Sequence, residues 1–258
     1  MTTDEIYIRF SNVWKSFDDL QVLQDVSFDV RRGETVVVLG RSGVGKSVTL
    51  KHIMGFLKPD QGEVYAAGAN VVQMNEAELM EMRRRITMVF QSGALFDSLT
   101  VGENVAYALR ERAMRDPEAW PEEKIQSRVE ELLGLVDMVE TQDLMPADLS
   151  TGMKRAVAIA RALAAAPEAI LYDEPTTMVD PLMAQTVGDL ILKLKRKKGL
   201  TSVVVTHDMR LARKLADRVV FLIDGRVAFF GAASEMNSSP DPVIQEFIEL
   251  DEMSMRPA

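Results

Sequence analysis

The chain has 258 residues, 47% of them hydrophobic, which is enough for one large domain or a core with a smaller subdomain. The absence of cysteine excludes disulfides and thiolate metal sites, and the net charge of −9 argues against a nucleic-acid partner. The N-terminal residues lack the apolar segment of a signal peptide, and no apolar stretch is long enough to cross a bilayer. We therefore expect a soluble protein that reaches any membrane through a partner.

The first 90 residues contain both strand and helix patterns. Apolar residues recur at every second position near Ile6–Phe10 and Val22–Val30, which predicts antiparallel strands. Thr35–Leu39 is a short, largely β-branched run typical of a buried parallel strand. The remaining patterns predict a glycine-rich loop at 40–45, helices at 46–55 and 76–85, and strands at 64–67 and 86–90.

Helical patterns replace the strand patterns from Gln91 to about Leu163. They predict helices at 105–115, 122–136 and 151–165. Alternation then resumes, with strands at 169–172, 202–206, 219–223 and 226–230 and helices at 182–197 and 209–216. Asp224-Gly225 predicts a hairpin between the last two strands.

These patterns predict one α/β domain over residues 1–258. A parallel-sheet core with an antiparallel β subdomain spans 1–90 and 164–236, and an α-helical subdomain is inserted at 91–163. A tail at 237–258 carries apolar residues on one helical face: Val243, Ile244, Phe247, Ile248 and Leu250. We expect this face to pack on the chain's own body, with docking on a partner as the alternative.

A phosphate-binding loop is predicted between the strand 35–39 and the following helix. Its residues fit the P-loop pattern: Gly40, Arg41, Ser42, Gly43, Val44, Gly45, Lys46 and Ser47. Glycines let the backbone wrap closely around phosphate oxygens, and the helix N-terminus adds positive potential. Lys46 is expected to reach the β- and γ-phosphates, and Ser47 to bind Mg²⁺. The core is therefore predicted to have the P-loop NTPase (RecA-like) fold.

Four further polar residues follow predicted strands, so they should lie at the same sheet edge as the P-loop. Asp173 is predicted to hold Mg²⁺, and Glu174 to polarise the attacking water. Gln91 is expected to contact Mg²⁺ and that water, and His207 to bind the γ-phosphate. The predicted catalytic residues are thus Glu174, His207, Gln91 and Lys46, and the predicted metal ligands are Ser47, Gln91 and Asp173.

The order of these motifs, with Leu149-Ser150-Thr151-Gly152-Met153 between Gln91 and Asp173, resembles the nucleotide-binding subunits of ABC transporters. The resemblance covers nearly the whole chain and implies ATP and Mg²⁺ as ligands and a head-to-tail homodimer. In that dimer, Ser150 and Gly152, with Thr151 and Met153 beside them, would complete the ATP site of the other subunit. It also implies that Asp180 crosses the interface and that Phe17 stacks on adenine.

The sequence departs from the family pattern at two places. Thr151 stands where the family usually has the first glycine of this signature, and Met178-Val179 before Asp180 differs from the commonest form. Neither change removes a catalytic group. Both leave the hydrolysis rate and the affinity of dimer closure open.

A narrower resemblance is carried by residues 40–64 and 90–111, including Gly93-Ala94-Leu95-Phe96-Asp97-Ser98, and by Ser239–Val243 followed by Phe247. These segments resemble in sequence those of the ATPases of MCE/Mla-type phospholipid transporters. The likeness implies a lipid cargo, an MlaE-like permease docked at the cleft around 91–104, and a periplasmic MCE-domain protein. It places the chain at the cytoplasmic face of a bacterial inner membrane. The alternatives are a small-solute importer ATPase, a soluble ABC ATPase acting on DNA or ribosomes, and a non-hydrolytic ATP-binding module.

Overall fold

The computed structural model describes residues 4–255 and contains two β-sheets. The first and last three residues of the predicted domain, and so the end of the predicted tail, lie outside the described residues. The strands are β1 (Ile6–Phe17), β2 (Leu20–Arg31), β3 (Thr35–Leu39), β4 (Gln61–Ala66), β5 (Ala69–Asn70), β6 (Ile86–Val89), β7 (Ala169–Asp173), β8 (Thr201–Thr206), β9 (Arg218–Ile223) and β10 (Arg226–Ala232). The helices are α1 (Lys46–Ile53), α2 (Glu76–Arg85), α3 (Val101–Ala113), α4 (Glu122–Leu135), α5 (Thr151–Ala164), α6 (Pro181–Lys198), α7 (Met209–Leu215), α8 (Ala233–Met236) and α9 (Pro242–Met255).

The larger sheet has six strands in the order β10-β9-β3-β8-β7-β6. All neighbours pair in parallel except β9 and β10, which form the hairpin predicted at Asp224-Gly225. The smaller sheet is antiparallel, in the order β2-β1-β4-β5. The predicted fold class, a parallel-sheet P-loop core with an antiparallel β subdomain and a helical insertion, is confirmed.

The two faces of the six-stranded sheet are covered by different elements. Val36 and Val38 point into a core shared with α1, α2 and the antiparallel sheet. Val37 and Leu39, one residue out of phase, point into a second core formed with α5, α6, α7 and α9. Because successive strand residues face opposite ways, a strand buried on both faces is apolar at most of its positions. This explains the uninterrupted apolar run in β3.

The long helices between β6 and β7 form the inserted part of the chain. Helix α3 begins at Val101, four residues before the predicted start. Thr100 and Glu103 form a reciprocal capping box there, in which each side chain accepts a hydrogen bond from the other residue's backbone N–H. Apolar residues of α3, α4 and α5 then pack against one another in the second core. Within residues 4–255, no helix has the length and apolar character needed to cross a membrane.

The C-terminal helix α9 packs on the chain's own body, as expected. Ile244 and Ile248 are buried in the second core, and the ring of Phe247 meets Phe221 of β9 edge-on with the ring centroids 5.1 Å apart. Leu250 differs from the prediction, because it is 54% exposed. The apolar surface through which α9 contacts the rest of the chain is therefore narrower than the sequence pattern predicts.

Candidate functional site

The carboxyl ends of β3, β6, β7 and β8 meet at one edge of the sheet and place four predicted groups together. A cavity of about 290 Å³ opens there. Its lining residues are Val22, Ser42, Gly43, Gly45, Lys46, Ser47, Val48, Gln91, Glu174, Thr177 and His207. Parallel strands bring distant parts of the sequence to a common edge, which is the usual place for a ligand in such sheets.

The loop between β3 and α1 needs glycine for steric reasons. Gly45 has a φ of 99°, and a Cβ atom on it would lie 2.8 Å from the carbonyl oxygen of Val22. Only glycine adopts this conformation and this close approach without strain. Gly45 directly precedes Lys46, the first residue of α1, so the N-terminus of the helix faces the cavity.

Lys46 is the buried cation of the cavity, with 5% of its side chain exposed. Its Nζ atom donates hydrogen bonds to the carbonyl oxygens of Gly40 and Arg41 at 2.9 and 3.0 Å. The same atom lies 3.3 Å from Oε1 of Glu174. A buried ammonium requires such partners because an unpaired charge is costly to remove from water.

Oxygen atoms suited to a hard divalent cation converge beside Lys46. The hydroxyl of Ser47 donates a hydrogen bond to Oδ1 of Asp173 at 2.7 Å, and Gln91 lines the same cavity. Hydroxyl, carboxylate and amide oxygens are the donors that Mg²⁺ prefers. Burial raises the pKa of the Asp173 carboxyl, the Ser47 hydrogen bond lowers it, and the charge of Glu174 raises it further.

Glu174 directly follows β7 and is held by several neighbours. Its φ of 48° is unusual for a residue with a side chain, and its N–H donates to the carbonyl oxygen of Val205 at 2.9 Å. Oε2 accepts hydrogen bonds from the Thr177 hydroxyl and from Nδ1 of His207, both at 2.9 Å. Because an ionised carboxylate only accepts hydrogen bonds, Nδ1 of His207 is assigned as the donor in this contact.

The remaining predicted site residues lie away from this cavity. Ser150 caps the N-terminus of α5 by accepting a hydrogen bond from the N–H of Met153, and Thr151 beside it is exposed. Gly152 is buried against Met183 of α6. Asp180 caps α6, accepting from the N–H of Met183 at 3.0 Å. Within one chain, none of these residues lines the cavity.

Phe17 also stands apart from the cavity lining. It ends β1 with 41% of its surface exposed, and Nζ of Lys15 lies 5.5 Å from its ring centroid. An exposed aromatic face of this kind can stack on a flat ligand.

Sequence reasoning did not single out Thr177 or Val22, which both line the cavity. Thr177 lies three residues after Glu174 in the same loop, but its position in the sequence does not show that its hydroxyl reaches the carboxylate. Val22 belongs to the antiparallel sheet, and nothing in its local sequence indicates that this strand approaches the P-loop.

The chain matches the sequence profile of the family described as "ABC transporter" over residues 23–177. It is 38% identical to the chloroplastic protein TRIGALACTOSYLDIACYLGLYCEROL 3 of Arabidopsis thaliana, over 94% of this chain and 73% of the relative. It is 36% identical to the methionine import ATP-binding protein MetN of Carboxydothermus hydrogenoformans, over 89% of this chain and 66% of the relative. It is also 36% identical to the intermembrane phospholipid transport system ATP-binding protein MlaF of Escherichia coli K12, over 88% of this chain and 83% of the relative.

A solved structure resembles the whole fold. It is the dimeric post-hydrolysis state of the ATP-binding cassette MJ0796 bound to ADP and Pi. Superposition gives a TM-score of 0.78 at 34% sequence identity and covers 88% of this chain and 98% of the other.

Proposed function

This chain belongs to the ABC transporter family, as a subunit that hydrolyses ATP with Mg²⁺, and we propose that the transporter it drives carries phospholipid or a related lipid. ABC ATPases work as dimers with membrane permease subunits.

The site chemistry is carried by one observation: a buried lysine, a carboxylate pair and a histidine meet at the P-loop cavity. We assign Lys46 to the β- and γ-phosphates, where a fixed positive charge stabilises the charge of the transferring group. Glu174 orients the attacking water and accepts its proton, and His207 beside it is assigned to the γ-phosphate. Ser47, Asp173 and Gln91 are assigned to Mg²⁺, which neutralises phosphate charge when it is bound.

The dimer proposal rests on the residues that lie away from the cavity within one chain. Ser150 and Thr151 stand at the exposed N-terminus of α5, where backbone N–H groups and the helix dipole favour an anion. In the proposed head-to-tail dimer, they contact the γ-phosphate held by the partner's P-loop, with Gly152 and Met153 behind them. Asp180 lies near the interface, and Phe17 stacks on adenine. Hydrolysis removes the shared ligand and lets the dimer open.

The lipid cargo is supported by the phrase Gly93–Ser98 and by the names of two relatives. MlaF is named as the ATP-binding protein of an intermembrane phospholipid transport system, and the chloroplast relative is named after a galactolipid. The competing candidate is methionine import, because MetN is 36% identical over 89% of this chain. Cargo is selected by the permease and its binding protein, so the ATPase sequence alone does not decide between them.

The partner surface is proposed on the helical insertion, next to Gln91. Phe96 and Tyr107 are both exposed there, with ring centroids 4.8 Å apart, and Arg161 lies over Phe96. Exposed aromatic residues clustered in this way are typical of protein contacts. We assign this surface to the coupling helix of an MlaE-like permease, with a periplasmic MCE-domain protein completing the assembly. The ATPase then lies at the cytoplasmic face of the inner membrane, with no nucleic-acid partner.

Purification of the chain with its membrane permease tests the cargo. We expect phospholipid to be found by mass spectrometry in the complex, and phospholipid vesicles to stimulate ATP hydrolysis. Stimulation by methionine together with its binding protein, without bound lipid, would replace the lipid proposal with methionine import. Stimulation by DNA or ribosomes, and none by a permease, would contradict both.

A further inference from the structure

Glu174 receives three hydrogen-bonding or ionic contacts from the chain itself. Nζ of Lys46 lies 3.3 Å from Oε1, while the Thr177 hydroxyl and Nδ1 of His207 donate to Oε2. The side chain is only 10% exposed, so these contacts determine where the carboxylate lies. Of the three donors, two already have a role in the proposed chemistry.

Lys46 and His207 are both assigned to phosphate oxygens. An ammonium has three protons, and Lys46 directs them to Gly40, Arg41 and Glu174. A phosphate oxygen bound by Lys46 therefore replaces one of these three partners as the acceptor of an Nζ–H hydrogen bond. The ring of His207 is 49% exposed and sits at the end of β8, where it can turn towards a ligand. The Thr177 hydroxyl has not been assigned to a phosphate oxygen, and its hydrogen bond in the structure goes to Oε2 of Glu174.

Both backbone polar groups of Thr177, its N–H and its carbonyl oxygen, are held by hydrogen bonds. Its N–H donates to the carbonyl oxygen of Glu174 at 3.3 Å, and its carbonyl oxygen accepts from Nη2 of Arg155 at 3.1 Å. Arg155 is 3% exposed and also donates to the carbonyl oxygen of Phe90, next to Gln91. A buried guanidinium that joins two loops holds them in one geometry. The hydroxyl of Thr177 therefore occupies a set position relative to Glu174.

We infer that Thr177 is a positioning residue, which holds the Glu174 carboxylate through its hydroxyl while Lys46 and His207 bind the phosphates. The inference rests on the proposed role of Glu174 as the base for the attacking water. A general base works only when its oxygen stays within hydrogen-bond distance of the proton that it removes. Small displacements of a catalytic group cost large factors in rate, so the effect falls on kcat.

Thr177→Val tests this inference because valine keeps the shape and removes the hydroxyl. In the full-length chain assembled with its permease, we expect kcat for ATP to fall about tenfold, the scale of one hydrogen bond to a charged group. The KM for ATP should stay within about twofold. Thr177→Ser restores the donor and should recover most of kcat. Thr186→Val is the matched control, since that hydroxyl bonds Leu182 within α6, outside the cavity.

Glu174→Gln, measured in parallel, separates the inference from the role on which it rests. Rapid turnover by Glu174→Gln would reject Glu174 as the base, and with it the positioning role. If Glu174→Gln is inactive and Thr177→Val keeps the normal kcat, only the role of Thr177 is rejected. A raised KM with unchanged kcat, or equal losses in the Ser and Val variants, would also overturn it. Should Thr177→Val fail to fold in a thermal melt, the comparison passes to Thr177→Ala and Thr177→Ser.

Discussion

At the residue scale, Asp173 shows how a ligand site costs stability. Burial raises the pKa of its carboxyl, and the neighbouring charge of Glu174 adds to the effect. The folded chain therefore keeps a proton on Asp173 at pH values where the unfolded chain has released it. Folding becomes less favourable as the pH rises above 3.8, the ordinary pKa of the group, towards its raised folded value.

Asp173→Asn is expected to stabilise the isolated chain while it abolishes Mg²⁺-dependent hydrolysis. At pH 7 the melting temperature should rise by about 3 °C, because asparagine can accept the Ser47 hydrogen bond without carrying a charge. The gain should shrink as the pH is lowered towards 3.8, because the raised pKa of Asp173 lets the folded chain take up a proton there before the unfolded chain does. Thermal melts over this range measure the effect, and a variant that melts lower than the unmodified chain at pH 7 would contradict it.

The sequence predicted those site residues whose positions follow from topology. Lys46, Gln91, Glu174 and His207 each follow a strand of the parallel sheet, so a strand assignment is enough to bring them together. Thr177 could not be placed in this way, because its contact with Glu174 depends on the loop after β7 and on its anchor Arg155. Such contacts are set by tertiary packing and leave no periodic pattern.

At the scale of elements, α9 joins the second core through a small number of side chains. Ile244 is fully buried, and Ile248 lies one turn further along the helix. Arg41 of the P-loop also pairs with Glu246 at 2.7 Å, but both side chains are more than half exposed. An exposed ion pair contributes at most about 1 kcal/mol, so the apolar contacts hold the helix.

Ile244→Ala should lower the free energy of unfolding by about 3 kcal/mol, since it removes buried methyl groups and leaves a cavity. Leu250→Ala on the exposed side of the same helix should change it by no more than about 0.5 kcal/mol. Urea unfolding of the isolated chain measures both values. Equal small effects would show that the helix does not pack on its own chain in solution, and would favour docking on a partner.

Element boundaries were predictable where a local rule applied. The apolar run at Thr35–Leu39 coincides with β3, and the hairpin turn is at Asp224-Gly225. Apolar periodicity predicts a start of α3 that is four residues too late, because the first turn is defined by the capping residues Thr100 and Glu103. The order of strands within the sheets depends on contacts between distant segments, which no local rule supplies.

At the scale of the whole molecule, the two halves of the proposed site lie on separate surfaces of one chain. The P-loop cavity is at the sheet edge, and Ser150 is at the N-terminus of α5 outside that cavity. A dimer that joins these surfaces explains both the position of Ser150 and the exposure of Thr151. The central claim is that the ATP site formed by one subunit is completed by residues of the other subunit.

The most direct test uses the absence of cysteine from the chain, because Ser150→Cys introduces a single thiol. A chain carrying both Lys46→Ala and Ser150→Cys is mixed with the unmodified chain, Mg²⁺ and an ATP analogue with a thiol-reactive group on its γ-phosphate. We predict that the thiol is labelled only when the unmodified chain is present, since that chain holds the nucleotide. Equal labelling of the thiol in the absence of the unmodified chain would contradict the shared site. So would a lack of labelling when the P-loop of the unmodified chain is loaded with nucleotide.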